Sequence, residues 1–118
     1  MGNNIESMTL EQIWKQVLYV LNKNPEPFQD ASLRYQITLT GKESGAYILT
    51  LENGTAKVEV GEDENAPCQL KMDSDQLKKL LLGKLNSTAA YMTGKLKVKG
   101  TFGHALKLES LLQKYKFE

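Results

Sequence analysis

The sequence predicts an α+β fold in which one mostly antiparallel sheet of five strands is covered on one face by helices. Three observations predict it. Apolar and polar residues alternate between Leu33 and Met72 and again from Leu96 to Val98, which is typical of strands with one buried face. Apolar residues recur at helical spacing before, between and after these segments. The dipeptide Asn53-Gly54 is a strong hairpin signal between two of the strands.

The first helix is predicted from Thr9 to Asn22, where Thr9 and Gln12 have the spacing of a capping box. Its apolar stripe includes Trp14, the only tryptophan, and Leu18. Packing in the core is the simpler interpretation of this stripe, and a lid over a cavity is the alternative.

Four strands follow, at 33–39, 47–51, 56–60 and 68–72, and the first three predict a meander with one solvated face. Arg34, Gln36 and Lys97 should face solvent, as should the acidic loop 62–65. The inward residues are predicted to include Leu33, Tyr35, Ile37, Leu39, Val58, Leu70, Leu96 and Val98.

The C-terminal third contains a second helix capped by Asp73 and stopped by Gly83. A short helix or turn at 86–93 should pack Met92 against the protein. A fifth strand then leads through a hinge, 100–103, into a last helix whose apolar face carries Ala105, Leu108, Leu111, Leu112 and Tyr115. Phe102 is predicted to lie in that hinge.

The composition is that of a globular protein with 41% hydrophobic and 25% charged residues. Its 118 residues predict a single domain, 1–118, without linkers or repeats. No secretion signal or peroxisomal tripeptide is recognisable, and a single cysteine suits a reducing compartment. We therefore expect a cytoplasmic location.

Charge is distributed unevenly along the chain. Residues 1–73 carry 6 Lys or Arg against 11 Asp or Glu, whereas residues 74–118 carry 9 against 3. The simpler interpretation is that the lysines solvate an outer face. The functional interpretation is transient contact with an anionic membrane through Lys78, Lys79, Lys84, Lys95, Lys97 and Lys99.

Catalytic and metal-binding patterns are weak in this sequence. One histidine and one cysteine cannot supply a zinc site, so we expect no metal and no cofactor. Cys68 lies on an apolar strand face, and nothing predicts a pairing with His104 that would activate it. A single arginine and near-neutral charge argue against nucleic-acid binding.

The run Gly83-Lys84-Leu85, then Ala89 to Gly100 (AAYMTGKLKVKG), then Gly103 and Ala105 to Leu108 resembles the sterol carrier protein, or non-specific lipid-transfer protein, domain family. This resemblance implies an apolar tunnel between sheet and helices. It also implies non-catalytic binding and transfer of fatty acids, fatty acyl-CoA, sterols or phospholipids. We interpret the chain as a stand-alone, bacterial member of this family.

The tunnel is expected to be lined by apolar side chains from both layers: Trp14, Leu18, Tyr35, Ile37, Leu70, Met72, Leu81, Met92, Leu96, Val98, Phe102, Ala105, Leu108 and Leu112. The last helix should form one wall, with the fifth strand opposite it. The family usually has Gln where this chain has Glu109, which would disfavour a bare fatty-acid anion if that carboxylate faced the tunnel.

Two other functions remain open. The same apolar faces would fill a solid core, which would favour an interaction or dimerisation module accessory to a lipid-metabolising complex. An enzyme using His104 or Glu109 is the third hypothesis. The expected oligomeric state is a monomer or a weak homodimer.

Overall fold

A computed structural model describes residues 4–117 of the chain. Its five strands form one sheet in the order β3-β2-β1-β4-β5, in which β1 and β4 are parallel and the other neighbours antiparallel. The predicted fold class is therefore confirmed. The elements are α1 (Leu10–Lys23), β1 (Ser32–Thr40), β2 (Gly45–Glu52), β3 (Thr55–Val60), β4 (Cys68–Asp73), α2 (Ser74–Leu81), α3 (Ser87–Met92), β5 (Lys97–Gly100) and α4 (Phe102–Leu112). Short 3-10 turns at Ile5–Ser7 and Glu26–Phe28 precede α1 and β1.

The central strand is β1, which pairs with β2 on one side and β4 on the other. Its alternation places Tyr35, Ile37 and Leu39 in the core beneath the helices. The predicted inner face is confirmed for Leu33, Tyr35, Ile37, Leu39, Leu70 and Leu96, which are buried, whereas Val58 and Val98 nearer the two sheet edges are half-buried.

Helix α1 begins where the sequence predicts. The Thr9 side chain accepts a hydrogen bond from the Gln12 N–H, and the Gln12 side chain accepts one from the Thr9 N–H. This reciprocal pair satisfies two donors that the first turn would otherwise leave free. Ile13, Trp14 and Val17 then face the core.

The turn before α4 is a fixed junction. Gly100 has φ +99°, and a Cβ atom there would lie 2.2 Å from the Pro67 carbonyl oxygen, so only glycine fits. The helix begins at Phe102 directly after the cap residue Thr101. The prediction that Phe102 lies in a hinge is therefore wrong, because its backbone is already helical.

Met92, which was predicted to be packed, is exposed, and so is Val60 at the end of β3. Met92 is 79% exposed because α3 is short and buries Ser87 and Ala90, which lie on its other side. Val60 is 85% exposed at the end of the edge strand β3. Periodicity predicts the face of a strand or helix, but not whether another element reaches that position.

The outer face of the sheet is partly covered by the loop after β3. Gln36 Nε2 donates to the Gly61 carbonyl at 3.3 Å, and the Asp63 N–H donates to the Gln36 side chain. Gln36 is thus buried, although it was predicted to face solvent, while the strand register is the predicted one. The Asn65 N–H and the Arg34 guanidinium, 2.6 Å away, lower the pKa of Asp63.

Candidate functional site

An apolar layer lies between the sheet and the helices, and it contains most of the side chains predicted to line a tunnel. Tyr35, Ile37, Leu70, Met72, Leu81, Leu96, Ala105, Leu108 and Leu112 are buried in a single cluster, with Leu18, Val98 and Phe102 packed against it. The Tyr35 hydroxyl donates to the His104 carbonyl at 2.7 Å, which ties β1 to α4. Burial raises the pKa of Tyr35.

A cavity opens at one margin of this layer, where the C-terminal end of α2 faces the end of α4. Its volume is about 550 Å³, within the range of roughly 300–1,000 Å³ typical of small-molecule sites. We call it the C-terminal cavity. Its lining comprises Leu81, Leu82, Gly83, Leu112, Gln113, Tyr115, Lys116 and Phe117.

The segment after α4 forms one wall of the C-terminal cavity. Phe117 is 1% exposed, and its carbonyl accepts a hydrogen bond from Gln16 Nε2 at 3.0 Å. The Tyr115 hydroxyl donates to the Asn24 carbonyl at 2.6 Å, and burial raises the pKa of Tyr115. The segment is therefore hydrogen-bonded to α1 and to Asn24, the residue that follows α1.

Only Leu81 and Leu112 of this lining were predicted to line a tunnel; the residues missed are Leu82, Gly83, Gln113, Tyr115, Lys116 and Phe117. The alternation Tyr115-Lys116-Phe117 is a signal that would have indicated an extended segment with a buried face. The expected wall arrangement also needs correction, since the cavity beside Leu112 has the end of α2 opposite it rather than β5. Ala105 is buried within the apolar layer.

Two of the predicted lining residues also reach the surface elsewhere. Trp14, which is buried in the same apolar cluster, and Leu18, which packs against it, line a groove of about 380 Å³ between α1 and the edge strand, together with Tyr47, Val58 and Val60. The rings of Trp14 and Tyr47 are 5.3 Å apart. The predicted set therefore lies mainly in the buried layer, some of its members also line the C-terminal cavity or this groove, and Met92 is exposed outside all three.

The six predicted surface lysines do not share one face. Lys97 and Lys99 lie on the outer face of the sheet, where Lys97 is opposite Lys71. Lys79, Lys84 and Lys95 are exposed elsewhere. Lys78 is only half-exposed, and its Nζ donates to the Glu6 carbonyl at 3.0 Å because α2 packs beside the turn at Ile5–Ser7.

The residues considered for catalysis have structural contacts. Burial raises the pKa of the Cys68 thiol to about 11, so the thiol is protonated at neutral pH. The Glu109 carboxylate accepts a hydrogen bond from the Ser87 N–H at 3.3 Å, at the start of α3. Within residues 4–117, no three His, Cys, Asp or Glu side chains come together as a metal ion would require.

No helix in the described part of the chain combines the length and hydropathy needed to cross a membrane.

Comparison with known proteins places this geometry in a family. The model of the SCP-2 sterol transfer family matches residues 14–113. Hydroxysteroid dehydrogenase-like protein 2 of Xenopus tropicalis is 39% identical over 108 residues, which are 91% of this chain and 25% of that protein. The chain spans a quarter or less of the length of the curated relatives it matches.

Solved structures show the same fold at low sequence identity. The stereoselective inverting sec-alkylsulfatase Pisa1 from Pseudomonas sp. aligns with a TM-score of 0.78 and 18% identity, covering 96% of this chain and 18% of the sulfatase. Palmitated SCP2L2 from Aedes aegypti aligns with a TM-score of 0.67 and 17% identity, covering 89% of this chain and 95% of that one.

Proposed function

This chain belongs to the SCP-2 sterol transfer family, and from that premise we propose that it binds a lipid in the C-terminal cavity and transfers it without chemical change. The observation that carries the proposal is the cavity itself. It is lined by Leu81, Leu82, Leu112 and Phe117 and opens beside the buried apolar layer. Burying an acyl chain in such a lining contributes about 0.8 kcal/mol per CH₂ group.

The rim of the cavity suits a single-chain lipid with an anionic head group. Lys116 and Gln113 are exposed on the lining, and among residues 4–117 Lys116 is the charged side chain that lines it. A lysine ammonium favours the ionised form of a carboxylate beside it. A fatty acid, with its carboxylate near Lys116, is therefore the ligand we propose, and fatty acyl-CoA would present its phosphates to the same rim.

Glu109 is not on the lining of the C-terminal cavity, because one carboxylate oxygen accepts from the Ser87 N–H at the start of α3 and the other accepts from Gln113 Nε2 at 3.5 Å. The replacement of the family's usual Gln by Glu109 therefore affects the hydrogen bond to the first turn of α3. Of the predicted lining residues, Leu81 and Leu112 would contact the lipid first. Side chains of the buried layer behind them would have to move apart to admit a longer acyl chain.

The relatives suggest a biological setting. Hydroxysteroid dehydrogenase-like protein 2 is much longer than this chain, which matches a quarter of it. We propose that in such a context the domain holds a lipid for a catalytic neighbour. An independent, cytoplasmic and bacterial role stays a prediction, as does a monomeric or weakly dimeric state.

A second function is favoured by one observation, the complete burial of the apolar layer. Ala105, Leu108 and Phe117 are each at most 3% exposed, so the interior is closed around them. A closed interior is what an interaction module accessory to a lipid-metabolising complex would have.

Replacing Leu82 with Trp separates these functions. Leu82 is half-buried at the end of α2 and lines the cavity, so the larger ring would occupy the cavity without entering the core. We expect the affinity for a fluorescent fatty acid to fall at least about tenfold, while the urea midpoint changes little. Tyr19→Trp, on the exposed face of α1, is the matched control.

Wild-type protein that binds no fluorescent fatty acid would contradict lipid binding and leave the interaction module. Binding that survives Leu82→Trp would contradict the C-terminal cavity as the site.

A further inference from the structure

The indole nitrogen of Trp14 is the buried side-chain polar atom for which no hydrogen-bond partner is found among residues 4–117. The Trp14 side chain is 6% exposed and packs in the apolar cluster, with its ring 5.3 Å from that of Tyr47. Most buried polar groups in folded proteins are paired, and a buried N–H without an acceptor costs free energy. An acceptor brought by another molecule would therefore bind favourably at this indole.

Trp14 also lines the groove between α1 and β3, which we call the α1–β3 groove. Asn22 closes the contact of these elements at one end, where its Oδ1 accepts from the Ala56 N–H at 2.8 Å and its Nδ2 donates to the Ala56 carbonyl at 3.1 Å. The groove lies beyond these bonds, beside residues 11–18 and the end of β3. Its volume of about 380 Å³ is within the roughly 300–1,000 Å³ typical of small-molecule sites.

The groove is the side from which an acceptor can reach the indole. Trp14 packs in the hydrophobic core on one side, where the described residues provide no acceptor, and lines the groove on the other. The indole nitrogen is covered from water, so the water of the groove does not satisfy it. A ligand must displace a groove side chain to make the bond, and Leu18 and Val58 are only half-buried there.

The rest of the lining indicates the chemistry of the ligand. Leu18, Val58 and Val60 give it aliphatic walls, which suit an alkyl chain. The charged residues of the described lining are Glu11 and Lys15, which form an exposed ion pair at 3.9 Å. These opposite charges offset each other, so the groove gives no preference for an anionic head group, unlike the rim at Lys116.

We propose that the α1–β3 groove is a second binding site, which takes a neutral lipid whose carbonyl oxygen accepts a hydrogen bond from the Trp14 indole N–H. An alkyl ester or ketone has this chemistry. A carbonyl suits the donor better than a hydroxyl does, because a hydroxyl would bring an unpaired donor of its own into an apolar lining. This site is separate from the C-terminal cavity and does not depend on the function proposed there.

Nuclear magnetic resonance tests the site directly, because Trp14 is the only tryptophan and its indole N–H gives a single peak in a proton–nitrogen correlation spectrum. Methyl decanoate should move that proton downfield in a saturable way, as a new hydrogen bond does. Decanoate at neutral pH should need at least about tenfold higher concentration for the same shift, since its charge would lose hydration in the groove.

Val58→Phe narrows the groove and should weaken ester binding at least about tenfold. Val20→Phe is the matched control, because Val20 is also half-buried against the core but does not line the groove, and it should leave the indole shift unchanged. Trp14→Phe keeps an aromatic ring and removes the donor. Ligand-observed resonance experiments on this variant should show about fivefold weaker ester binding, which decides the question if Val58→Phe does not fold.

An indole proton that does not move up to the solubility limit of methyl decanoate would overturn the site. A shift that Leu82→Phe abolishes would do so too, because the ester would then occupy the C-terminal cavity. If protein concentration alone moved the peak and light scattering showed a dimer, the groove would belong to a second copy of the chain. Palmitate binding is measured separately, so its absence would contradict the proposed function and leave the ester site standing.

Discussion

Tyr35 is the side chain through which the central strand holds the last helix. Its ring is fully buried, and its hydroxyl donates to the His104 carbonyl in the first turn of α4. A buried hydroxyl without a partner would be costly, so the hydrogen bond fixes the position of the α4 N-terminus over β1. The C-terminal cavity, which Leu112 of α4 lines, depends on the placement of that helix.

Tyr35→Phe keeps the ring and removes the hydrogen bond, so we expect a loss of about 1 kcal/mol in the free energy of unfolding at neutral pH. The pKa of Tyr35 is raised in the folded protein, so the wild type loses stability as the pH rises above the ordinary tyrosine pKa of 10.0, where only the unfolded phenol ionises. The deficit of the variant should therefore shrink above that pH.

Urea melts of both proteins across this pH range measure the difference. A deficit that stays constant with pH would contradict the burial argument.

Among the elements, α3 is too short to be stable by itself and depends on its neighbours. The Asn86 side chain accepts a hydrogen bond from the Ala89 N–H at 2.9 Å, and Glu109 on α4 accepts one from the Ser87 N–H. A carboxylate near a helix N-terminus is also favoured by the helix dipole. Glu109 thus joins α3 to α4.

Glu109→Ala should cost about 1 kcal/mol in the free energy of unfolding, because the Ser87 N–H loses its acceptor. Glu109→Gln keeps a carbonyl oxygen at the same reach and should cost less than half as much. Chemical denaturation of the three proteins is the measurement. Equal losses in the two variants would show that the hydrogen bond does not hold α3.

Most elements could be predicted from the sequence, because their signals are local. The capping box at Thr9, the cap at Asp73 and the Asn53-Gly54 turn are each settled by neighbouring residues, and the structure confirms them. The parallel pairing of β1 with β4 could not be predicted that way. Alternation assigns a strand to a face but carries no information about which strand lies beside it.

At the scale of the whole molecule, the cavity joins two segments that are distant in sequence: the end of α2, and the end of α4 with the residues that follow it to Phe117. The sequence predicted Leu81 and Leu112 as lining residues because each lies on an apolar helix face. It could not predict that they meet, nor that the interior near Ala105 is closed, because both depend on how the helices pack against the sheet.

The most direct test of lipid binding is native mass spectrometry of the chain after incubation with palmitate. We predict a species with the mass of one chain plus one fatty acid, which is absent for Leu82→Trp and present for Tyr19→Trp. A ligand-free monomer or dimer at saturating palmitate would contradict the account.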